Sequence, residues 1–234
     1  METIATSNSR PRSSITPADL SRVLRRAYPH ARGVFAFLLN YRPYICPFHE
    51  LLKRVPAEER TFIDIGSGVG MMCALLAYIT GATRLIGVDT CQRDIDIART
   101  TVLPATASAT FHCVVPDDEW PQTRVDSVFC VDVLHHVPAA QQHDFVQRLS
   151  RLNFSGRIYL KDMSPRPWWQ AIFSHLHDFV LRHERISLRD EHEVKRWLEA
   201  EGLAVSEPER LRGWWYSHYL LTAERPARSH AGTA

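Results

Sequence analysis

From Thr61 onward, short apolar runs alternate with segments in which apolar residues recur every three or four positions. The runs are typical of buried strands, and the three-to-four spacing is typical of helices with one buried face. Alternation of this kind over about 160 residues predicts a parallel sheet with helices on both faces. The predicted strands cover residues 61–65, 84–88, 110–115, 125–131 and 157–160. The predicted helices run from Met72 to a stop at Gly81, over 92–101, and through Phe145, Val146, Leu149 and Leu152.

The C-terminal part predicts one more helix and two more strands. Asp190 and Glu193 form a capping pair before an apolar helical face, and Gly202 ends that helix. Residues 203–206 and 214–222 are predicted strands, joined by a polar connection short enough for an antiparallel pair. The fold class expected from the whole pattern is therefore α/β. It has a doubly wound, seven-stranded, mostly parallel sheet whose last strand is antiparallel.

The first 60 residues have a different pattern. Residues 1–15 are rich in Ser, Thr, Pro and Arg, and they predict a flexible tail, as do residues 225–234. Thr16, Pro17 and Asp19 together indicate the start of a helix. Pro43 and Pro47 are expected to break the chain, and a short helix is expected over 48–55. These observations predict an N-terminal helical cap over 16–60, followed by the main domain over 61–224.

Composition and charge narrow the class of protein. The chain has 234 residues, 45% of them hydrophobic, and a formal net charge of +2. A dedicated nucleic-acid binder is usually more basic. The five cysteines form no CxxC pair, which favours reduced thiols over a disulfide framework or a metal site. The start of the chain does not resemble a signal peptide, and the longest apolar runs are too short to span a bilayer. A soluble cytoplasmic protein without a transmembrane segment is expected.

A glycine loop directly after the first predicted strand is the most informative motif. The sequence there is Asp64-Ile65-Gly66-Ser67-Gly68-Val69-Gly70. Glycines at this place permit a tight turn and a close approach of a ligand to the backbone, and the helix that follows presents free N–H groups to an anion. The spacing is GxGxG and not the GxGxxG of dinucleotide-binding proteins.

The acid two residues before this GxGxG loop completes a pattern that resembles the first motif of class I S-adenosylmethionine-dependent methyltransferases. The resemblance covers about residues 61–223. It implies a Rossmann-like methyltransferase fold with S-adenosylmethionine as cofactor. The cofactor-binding residues that it implies in this loop are Asp64, Gly66, Ser67, Gly68 and Gly70.

Asp89, at the end of the second predicted strand, lies 25 residues after Asp64. In doubly wound folds an acid at this place accepts hydrogen bonds from the cofactor ribose. The alternative is an ordinary N-cap of the next helix. The glycine loop upstream favours the ribose role, and Thr90 is assigned to the cofactor site with Asp89.

An acidic turn after the third predicted strand contains the next candidates. In the family, a side chain at this place receives the adenine amino group. Asp117 and Asp118 both fit that role, and the sequence does not choose between them. A solvated acidic turn is the alternative.

The segment Val131-Asp132-Val133-Leu134-His135-His136-Val137-Pro138 follows the fourth predicted strand. It resembles the D-V-L-H-H-(V/I/L)-P segment of many small-molecule methyltransferases. The resemblance implies that Val131 lies under the methionine moiety and that the loop faces the methyl group. His136 is the candidate general base. His135 is interpreted as a capping or packing residue.

Substrate-facing positions are expected after the fifth predicted strand and before the first. Lys161 and Asp162 end that fifth strand, and His177 belongs to an aromatic segment, predicted to be helical, that also contains Trp168 and Trp169. This segment is interpreted as an apolar wall of the pocket, with ordinary packing on the sheet as the alternative. Upstream, Tyr44 is assigned to cover the methyl site, and Arg42 to pair with an anion.

The predicted function is methyl transfer from S-adenosylmethionine to an O or N atom of a small molecule. An apolar or aromatic secondary metabolite would suit the aromatic segment. The chemistry consists mainly of positioning and exclusion of water, so no metal is needed. The catalytic candidates are His136, His177, Lys161 and Asp162. The alternatives are an RNA methyltransferase, which should have a basic patch, and a non-catalytic protein that binds S-adenosylmethionine.

Overall fold

The computed structural model describes residues 14–115, 118–165, 187–212 and 217–226. These residues form one mixed sheet with helices on both faces. The strands are β1 Thr61–Ile65, β2 Arg84–Asp89, β3 Ser108–Cys113, β4 Ser127–Val131, β5 Arg157–Met163, β6 Ala204–Val205, β7 Glu209–Arg212 and β8 Ser217–Glu224. The helices are α1 Pro17–Ala27, α2 Gly33–Ile45, α3 Phe48–Arg54, α4 Met71–Thr80, α5 Gln92–Ala98, α6 Gln142–Ser150 and α7 Glu191–Ala200.

The strand order is β3-β2-β1-β4-β5-β8-β6, and β7 also pairs with β8. Strands β1 to β5 are parallel, and β8 is antiparallel to β5. The chain leaves β1 towards β2 on one side and returns to β4 on the other. The carboxyl ends of β1 and β4 therefore flank the crevice in which ligands bind in folds of this type. The predicted fold class is confirmed.

The antiparallel edge of the sheet differs in detail from the prediction. Residues 209–212, expected in a polar connection, form the strand β7. Strands β6 and β7 pair in succession with the same edge of β8. In β7 only Leu211 is a buried apolar residue, among charged neighbours, so the sequence offers no alternation that would reveal a strand. Trp214, the predicted start of the last strand, lies outside the described residues.

The sequence predicted a break at Pro43, but the structure places Pro43 inside α2. The helix ends two residues later, and the Cys46 N–H still donates to the Arg42 carbonyl at 2.8 Å. A proline this close to the C-terminus of a helix removes one backbone hydrogen bond and leaves the earlier turns of the helix intact.

The two faces of the sheet carry separate apolar cores. Helices α1 to α4 cover one face, where Leu24 and Leu75 pack with Phe129 of β4. Helices α6 and α7 cover the other, where Leu149 and Val194 pack with Val128 of β4 and its neighbours. All of β4 is buried, as its continuous apolar run predicted. The sheet is therefore a rigid frame for the loops at its carboxyl edge.

The N-terminal helices α1 to α3 lie within the predicted cap of residues 16–60. Thr16 and Asp19 form the capping box at the start of α1. The Tyr28 hydroxyl donates to the Val69 carbonyl at 2.7 Å, so this region is bonded to the glycine loop. The aromatic segment lies outside the described residues from 166 onward, as do nearly all residues of the two predicted tails. Within the described parts of the chain, no helix has the length and apolar character needed to cross a membrane.

Candidate functional site

A cavity of about 1250 Å³ lies at the carboxyl ends of β1, β2 and β4. Its wall combines the glycine loop, the end of β2, the loop after β4, the end of α2 and one residue of β8. The principal predicted site residues that border it are Asp64, Gly66, Ser67, Gly68, Asp89, Thr90, Val131 and His136. The cavity is thus at the switch point expected for a doubly wound sheet.

The glycine loop is bonded to the end of β2. The N–H groups of Gly66 and Ser67 both donate to the Val88 carbonyl, at 2.7 and 3.0 Å. A Cβ atom on Gly66 would lie 2.2 Å from a methyl of Val133, so the protein itself requires that glycine. A Cβ on Gly70 would similarly lie 3.0 Å from the Phe111 ring.

Gly68 has a different environment from the other two glycines of the loop. It has a positive φ of 51° and borders the cavity. Nothing lies within 4 Å of the place where its Cβ would be. The positive φ favours glycine here, and the open space at the cavity wall leaves room for a ligand to approach the backbone closely.

Asp89 holds the glycine loop by its side chain. Its Oδ2 accepts from the Gly68 N–H at 2.7 Å, and its Oδ1 accepts from the Cys91 N–H at 2.9 Å. The N-cap residue of α5 is Cys91, which makes no side-chain cap bond. The alternative interpretation of Asp89 as a helix N-cap is therefore wrong. The carboxylate borders the cavity beside Thr90, where it can accept hydrogen bonds from a ligand.

Asp64 is a buried carboxyl group in the cavity wall. Burial raises its pKa well above the ordinary value, and the negative charge of Asp89 raises it further. A positively charged ligand group beside Asp64 would relieve both effects. This end of the cavity therefore favours a cation over an anion.

Neither candidate for the adenine contact is found in the cavity wall. Asp117 lies outside the described residues. Asp118 is exposed, and its Oδ2 accepts from the Val115 N–H at 3.1 Å within its own turn. The wall nearby is apolar and includes Trp120, whose ring packs edge-to-face on Phe145 at 5.3 Å. A flat heterocycle would fit against such a wall.

Asp132, directly after β4, is a site residue that the sequence reasoning missed. It borders the cavity and has a φ of 57°, the one positive φ among described residues other than glycine. Its Oδ1 contacts the ammonium group of Lys161, and its Oδ2 lies 3.4 Å from Nη2 of Arg42. Strained backbone of this kind concentrates at functional sites. Its position in the same segment as the two histidines was the available signal.

The charges around Asp132 form a buried cluster with His218 and Cys46. Burial alone would raise the pKa of Asp132, but the neighbouring cations, Lys161 first, lower it well below its ordinary range. Burial first, and the positive charge of Lys161 second, lower the pKa of His218 to about 3. His218 is therefore neutral at neutral pH, with Nε2 donating to the Ile45 carbonyl at 3.1 Å. Burial raises the pKa of the Cys46 thiol to about 12.

His135, interpreted from the sequence as a packing or capping residue, forms a pair with Asp162. Its Nδ1 contacts Asp162 Oδ1, and its backbone N–H donates to Asp162 Oδ2 at 3.0 Å. Both side chains are buried, yet the His135 ring borders the cavity. The ring of His136 is 4.1 Å away, centroid to centroid, and borders the same cavity.

Several predicted site residues do not border the cavity. Lys161 is fully buried and ion-paired with Asp132, and Asp162 is buried behind His135. Gly70 packs on Phe111, and Tyr44 is exposed on α2. Their predicted roles remain predictions, and His177 lies outside the described residues.

Comparison with known proteins identifies the family. A family model described as a methyltransferase domain matches residues 38–207, which is more than half of the chain. No curated protein matches the sequence at a significant level.

Solved structures of similar fold share few identical residues. Magnesium protoporphyrin IX methyltransferase from Synechocystis PCC 6803, with bound S-adenosylhomocysteine, has a TM-score of 0.65 at 19% identity, over 88% of this chain and 94% of that one. The methyltransferase in complex with the Trm112 activator of Haloferax volcanii has a TM-score of 0.62 at 18% identity, over 82% and 93%. An O-methyltransferase family protein from Burkholderia thailandensis has a TM-score of 0.60 at 18% identity, over 82% and 58%.

The described residues fit the cofactor that this family uses. S-adenosylmethionine carries a sulfonium and an amino group, and two of the aspartates of the wall, Asp64 and Asp89, lie at the glycine loop with the open backbone of Gly68. The predictions of family, enzyme class and cofactor are confirmed. The chain belongs to the methyltransferase-domain family, and it is a class I S-adenosylmethionine-dependent methyltransferase.

Proposed function

We propose that this enzyme methylates an oxygen or nitrogen atom of a small molecule of apolar or aromatic character. The observation that carries the proposal is one continuous cavity, in which the glycine loop forms one end and His135 and His136 border the other. Its volume of about 1250 Å³ exceeds the 300–1,000 Å³ typical of a site for one small ligand. The cavity therefore has room for a cofactor and an acceptor together.

Each end of the cavity has its own task in this proposal. S-adenosylmethionine supplies an activated methyl group when it is bound. Gly68 would present open backbone to it, Asp89 would accept from its ribose and Asp64 would face its amino group. The acceptor would lie towards His135 and Asp132, with its nucleophilic atom in line with the methyl group. The protein contributes positioning and exclusion of water.

A general base is needed when the acceptor atom carries a proton at working pH. Asp162 binds Nδ1 of His135 and thereby selects the tautomer in which Nε2 holds the lone pair. A carboxylate behind an imidazole also stabilises the imidazolium ion formed on proton uptake. We therefore assign the base to His135, with Asp162 as its positioning residue. His136, the candidate from the sequence, remains the second choice because its ring borders the same cavity.

The charge of the cavity wall favours a small molecule over RNA as the methyl acceptor. Among the described residues of the wall, five are aspartates and three are arginines. Such a wall repels phosphates, whose neutralisation supplies most of the affinity of RNA-binding proteins. One structural relative is named for a small acceptor, magnesium protoporphyrin IX, which agrees with this proposal. A non-catalytic role is disfavoured because a His–Asp pair and a roomy acceptor end have no purpose in mere cofactor binding.

The experiment that tests the proposal follows methyl transfer from radiolabelled cofactor into a cell extract separated into small molecules, RNA and protein. We expect label in the small, organic-soluble fraction. Label in RNA would overturn the small-molecule assignment, and no label in any fraction, despite cofactor binding measured by calorimetry, would support the non-catalytic alternative.

Substitutions at the two histidines test the base. His135→Ala and Asp162→Asn should both lower kcat by about 100-fold or more, the contribution of a general base, with little change in cofactor Kd. The pH profile of Asp162→Asn should also shift, which a purely structural role would not cause. A large fall in kcat in His136→Ala, without one in His135→Ala, would assign the general base to His136 instead.

A further inference from the structure

An exposed apolar stripe runs along α2. Val34 is 75% exposed and Phe37 is 63% exposed, and three further large apolar or aromatic residues share their face. The stripe consists of Val34, Phe37, Leu38, Tyr41 and Tyr44, spaced at three and four residues as on one side of a helix. The opposite side of α2, with Leu39 and Pro43, is buried. A contiguous apolar face of this kind on a protein surface marks an interaction site.

Positive charge surrounds the stripe. Residues 20–49 contain five arginines and no aspartate or glutamate, whereas the whole chain has a net charge of only +2. Arg32 is the N-cap residue of α2, and Nη1 of Arg25 binds the Asn40 side chain at 2.9 Å, beside the stripe. Arg22 is paired with Asp19 and Arg42 with Asp132, so Arg25 and Arg32 are the arginines that supply positive charge beside the stripe.

Helix α2 carries the stripe and also contributes residues to the cavity wall. Arg42, Ile45 and Cys46, at the end of α2, border the cavity, and Tyr44 of the stripe lies between them in the chain. The C-terminal end of the stripe is therefore adjacent in the chain to residues that border the cavity.

We propose that the exposed face of α2, with Arg25 and Arg32 beside it, docks this protein on the surface of an anionic lipid bilayer. Aromatic and aliphatic side chains on one helix face enter the boundary between headgroups and acyl chains, and arginines beside them bind anionic headgroups. Tyrosine, present twice in the stripe, is enriched at such boundaries. The docked helix lies in the plane of the membrane and does not cross it.

A second copy of this chain fits the stripe less well. In a symmetric dimer through α2, the same patch would face itself, and the arginines of both copies would approach each other without acids to balance them. An anionic bilayer supplies the missing negative charge over its whole surface. Charge complementarity therefore favours the bilayer.

Docking also defines the class of acceptor, a step that rests on the proposed function. A molecule dissolved in the bilayer would pass from the membrane boundary along α2 to the cavity without entering bulk water. The acceptor is therefore expected to be a lipid-soluble amphiphile with a hydroxyl, carboxyl or amine at one end.

Vesicle binding tests the docking surface without cofactor or acceptor. The full-length protein is sedimented with phosphatidylcholine vesicles and with vesicles in which a quarter of the lipid is phosphatidylglycerol. We expect binding to the anionic vesicles to exceed binding to the neutral ones by about tenfold and to fall in about 0.5 M salt. Equal binding to both vesicles, or binding to neither, would overturn the proposal.

Matched variants locate the surface. Val34→Ser and Phe37→Ser should each reduce binding several-fold, whereas Val102→Ser, at an exposed valine in the loop after α5, should not. Arg32→Gln should reduce binding more than Arg196→Gln, on the opposite face of the sheet. Circular dichroism checks the fold of each variant. Loss of a dimer in Phe37→Ser, seen by light scattering with wild-type vesicle binding, would assign the stripe to a second copy instead.

The acceptor inference has a separate readout. Methyl transfer into a lipid-soluble extract should fall in Phe37→Ser when the extract is presented in anionic vesicles, but not when it is dispersed in detergent. Vesicle binding without any methyl transfer would count against the proposed function and leave docking intact. Equal loss of transfer in both presentations would contradict delivery along α2.

Discussion

The two ends of the cavity are built in different ways. The glycine-loop end uses two short segments, residues 64–70 and 88–91, and most of its bonds involve backbone groups. The end at β4 and β5 rests on a buried cluster of side chains from distant parts of the chain: Arg42, Asp132, Lys161 and His218. The first end is local in sequence and open to a ligand. The second depends on tertiary structure and on the balance of buried charges.

This difference predicts separable effects of mutation. A change at the glycine loop should alter cofactor affinity more than stability, because most of the hydrogen bonds of the loop lie within two adjacent segments. A change in the charge cluster should alter stability first, because each charge there depends on residues from other elements.

Lys161→Met should have the largest effect. It removes the cation that pairs with Asp132 and leaves a buried carboxylate whose compensation is reduced to Arg42. Loss of one partner of a buried pair costs about 3–5 kcal/mol. Urea unfolding should show this loss. The double variant Lys161→Met/Asp132→Asn should recover a large part of it, since no uncompensated carboxylate remains. If Lys161→Met were as stable as the wild type, the contrast between the two ends would be wrong.

Gly68→Val should reduce cofactor affinity by about 100-fold, which is about 2.7 kcal/mol, because its side chain would occupy open space at the cavity wall. Gly81→Val is the matched control. Gly81 also has a positive φ and no atom near its absent Cβ, but it lies at the far end of α4. Both variants should lose stability from backbone strain, and calorimetry should show weakened binding only in Gly68→Val. Equal affinities in the two variants would remove Gly68 from the site.

Asp64→Asn should change stability and affinity in opposite directions. The pKa of Asp64 is raised in the folded protein, so its ionised form is disfavoured by folding at neutral pH, and the neutral amide removes that cost. The melting temperature should therefore rise. Cofactor affinity should fall by about 1.5–3 kcal/mol, the range for a lost hydrogen bond to a charged group. A variant that melts lower and binds normally would show that Asp64 serves the fold.

His218→Gln should have the smallest effect, visible only in the pH dependence of stability. The pKa of His218 is about 3 when folded and about 6.5 when unfolded, so between these values the unfolded chain binds a proton that the folded protein does not. Wild-type stability should therefore be fully present above about pH 6.5 and fall on acidification, by about 2 kcal/mol at about pH 5. Lys161, Asp132 and Asp162 face this histidine, and the lowered pKa of Asp132 keeps that carboxylate charged over the same range.

The glutamine variant should lose less stability on acidification, since its amide can still donate to the Ile45 carbonyl without titrating. His192→Gln, at an exposed histidine of α7, is the control and should follow the wild-type curve. Identical curves for all three proteins would show that the buried histidine does not govern acid stability.

Local features of the fold could be predicted from the sequence. The limits of β1 and the end of α4 at Gly81 match their predictions because each depends on neighbours in the chain. The limits of α5 and α7 were predicted within a few residues for the same reason. Helix α2 and strand β7 could not be predicted, since their stability comes from packing on α1 and on β8.

In the candidate site, too, residues whose roles depend on nearby sequence could be predicted, and residues brought together by the fold could not. Asp89 was assigned from its place after a strand, and it does border the cavity. The pairing of His135 with Asp162 spans 27 residues, and that of Arg42 with Asp132 spans 90. No spacing rule relates residues that only the sheet order brings together. The roles of Asp132 and His218 therefore became visible only in three dimensions.

The hydrogen bond from Tyr28 to the Val69 carbonyl connects the N-terminal helices, which carry the proposed docking surface, to the glycine loop. Tyr28 follows α1, which packs on the docking helix α2, and Val69 belongs to the glycine loop. Any change in cofactor affinity caused by docking must be matched by an equal change in docking affinity caused by the cofactor. Tyr28→Phe removes only the hydroxyl. Comparing this variant with the wild type would measure how much of the coupling free energy between docking and cofactor binding depends on that hydrogen bond.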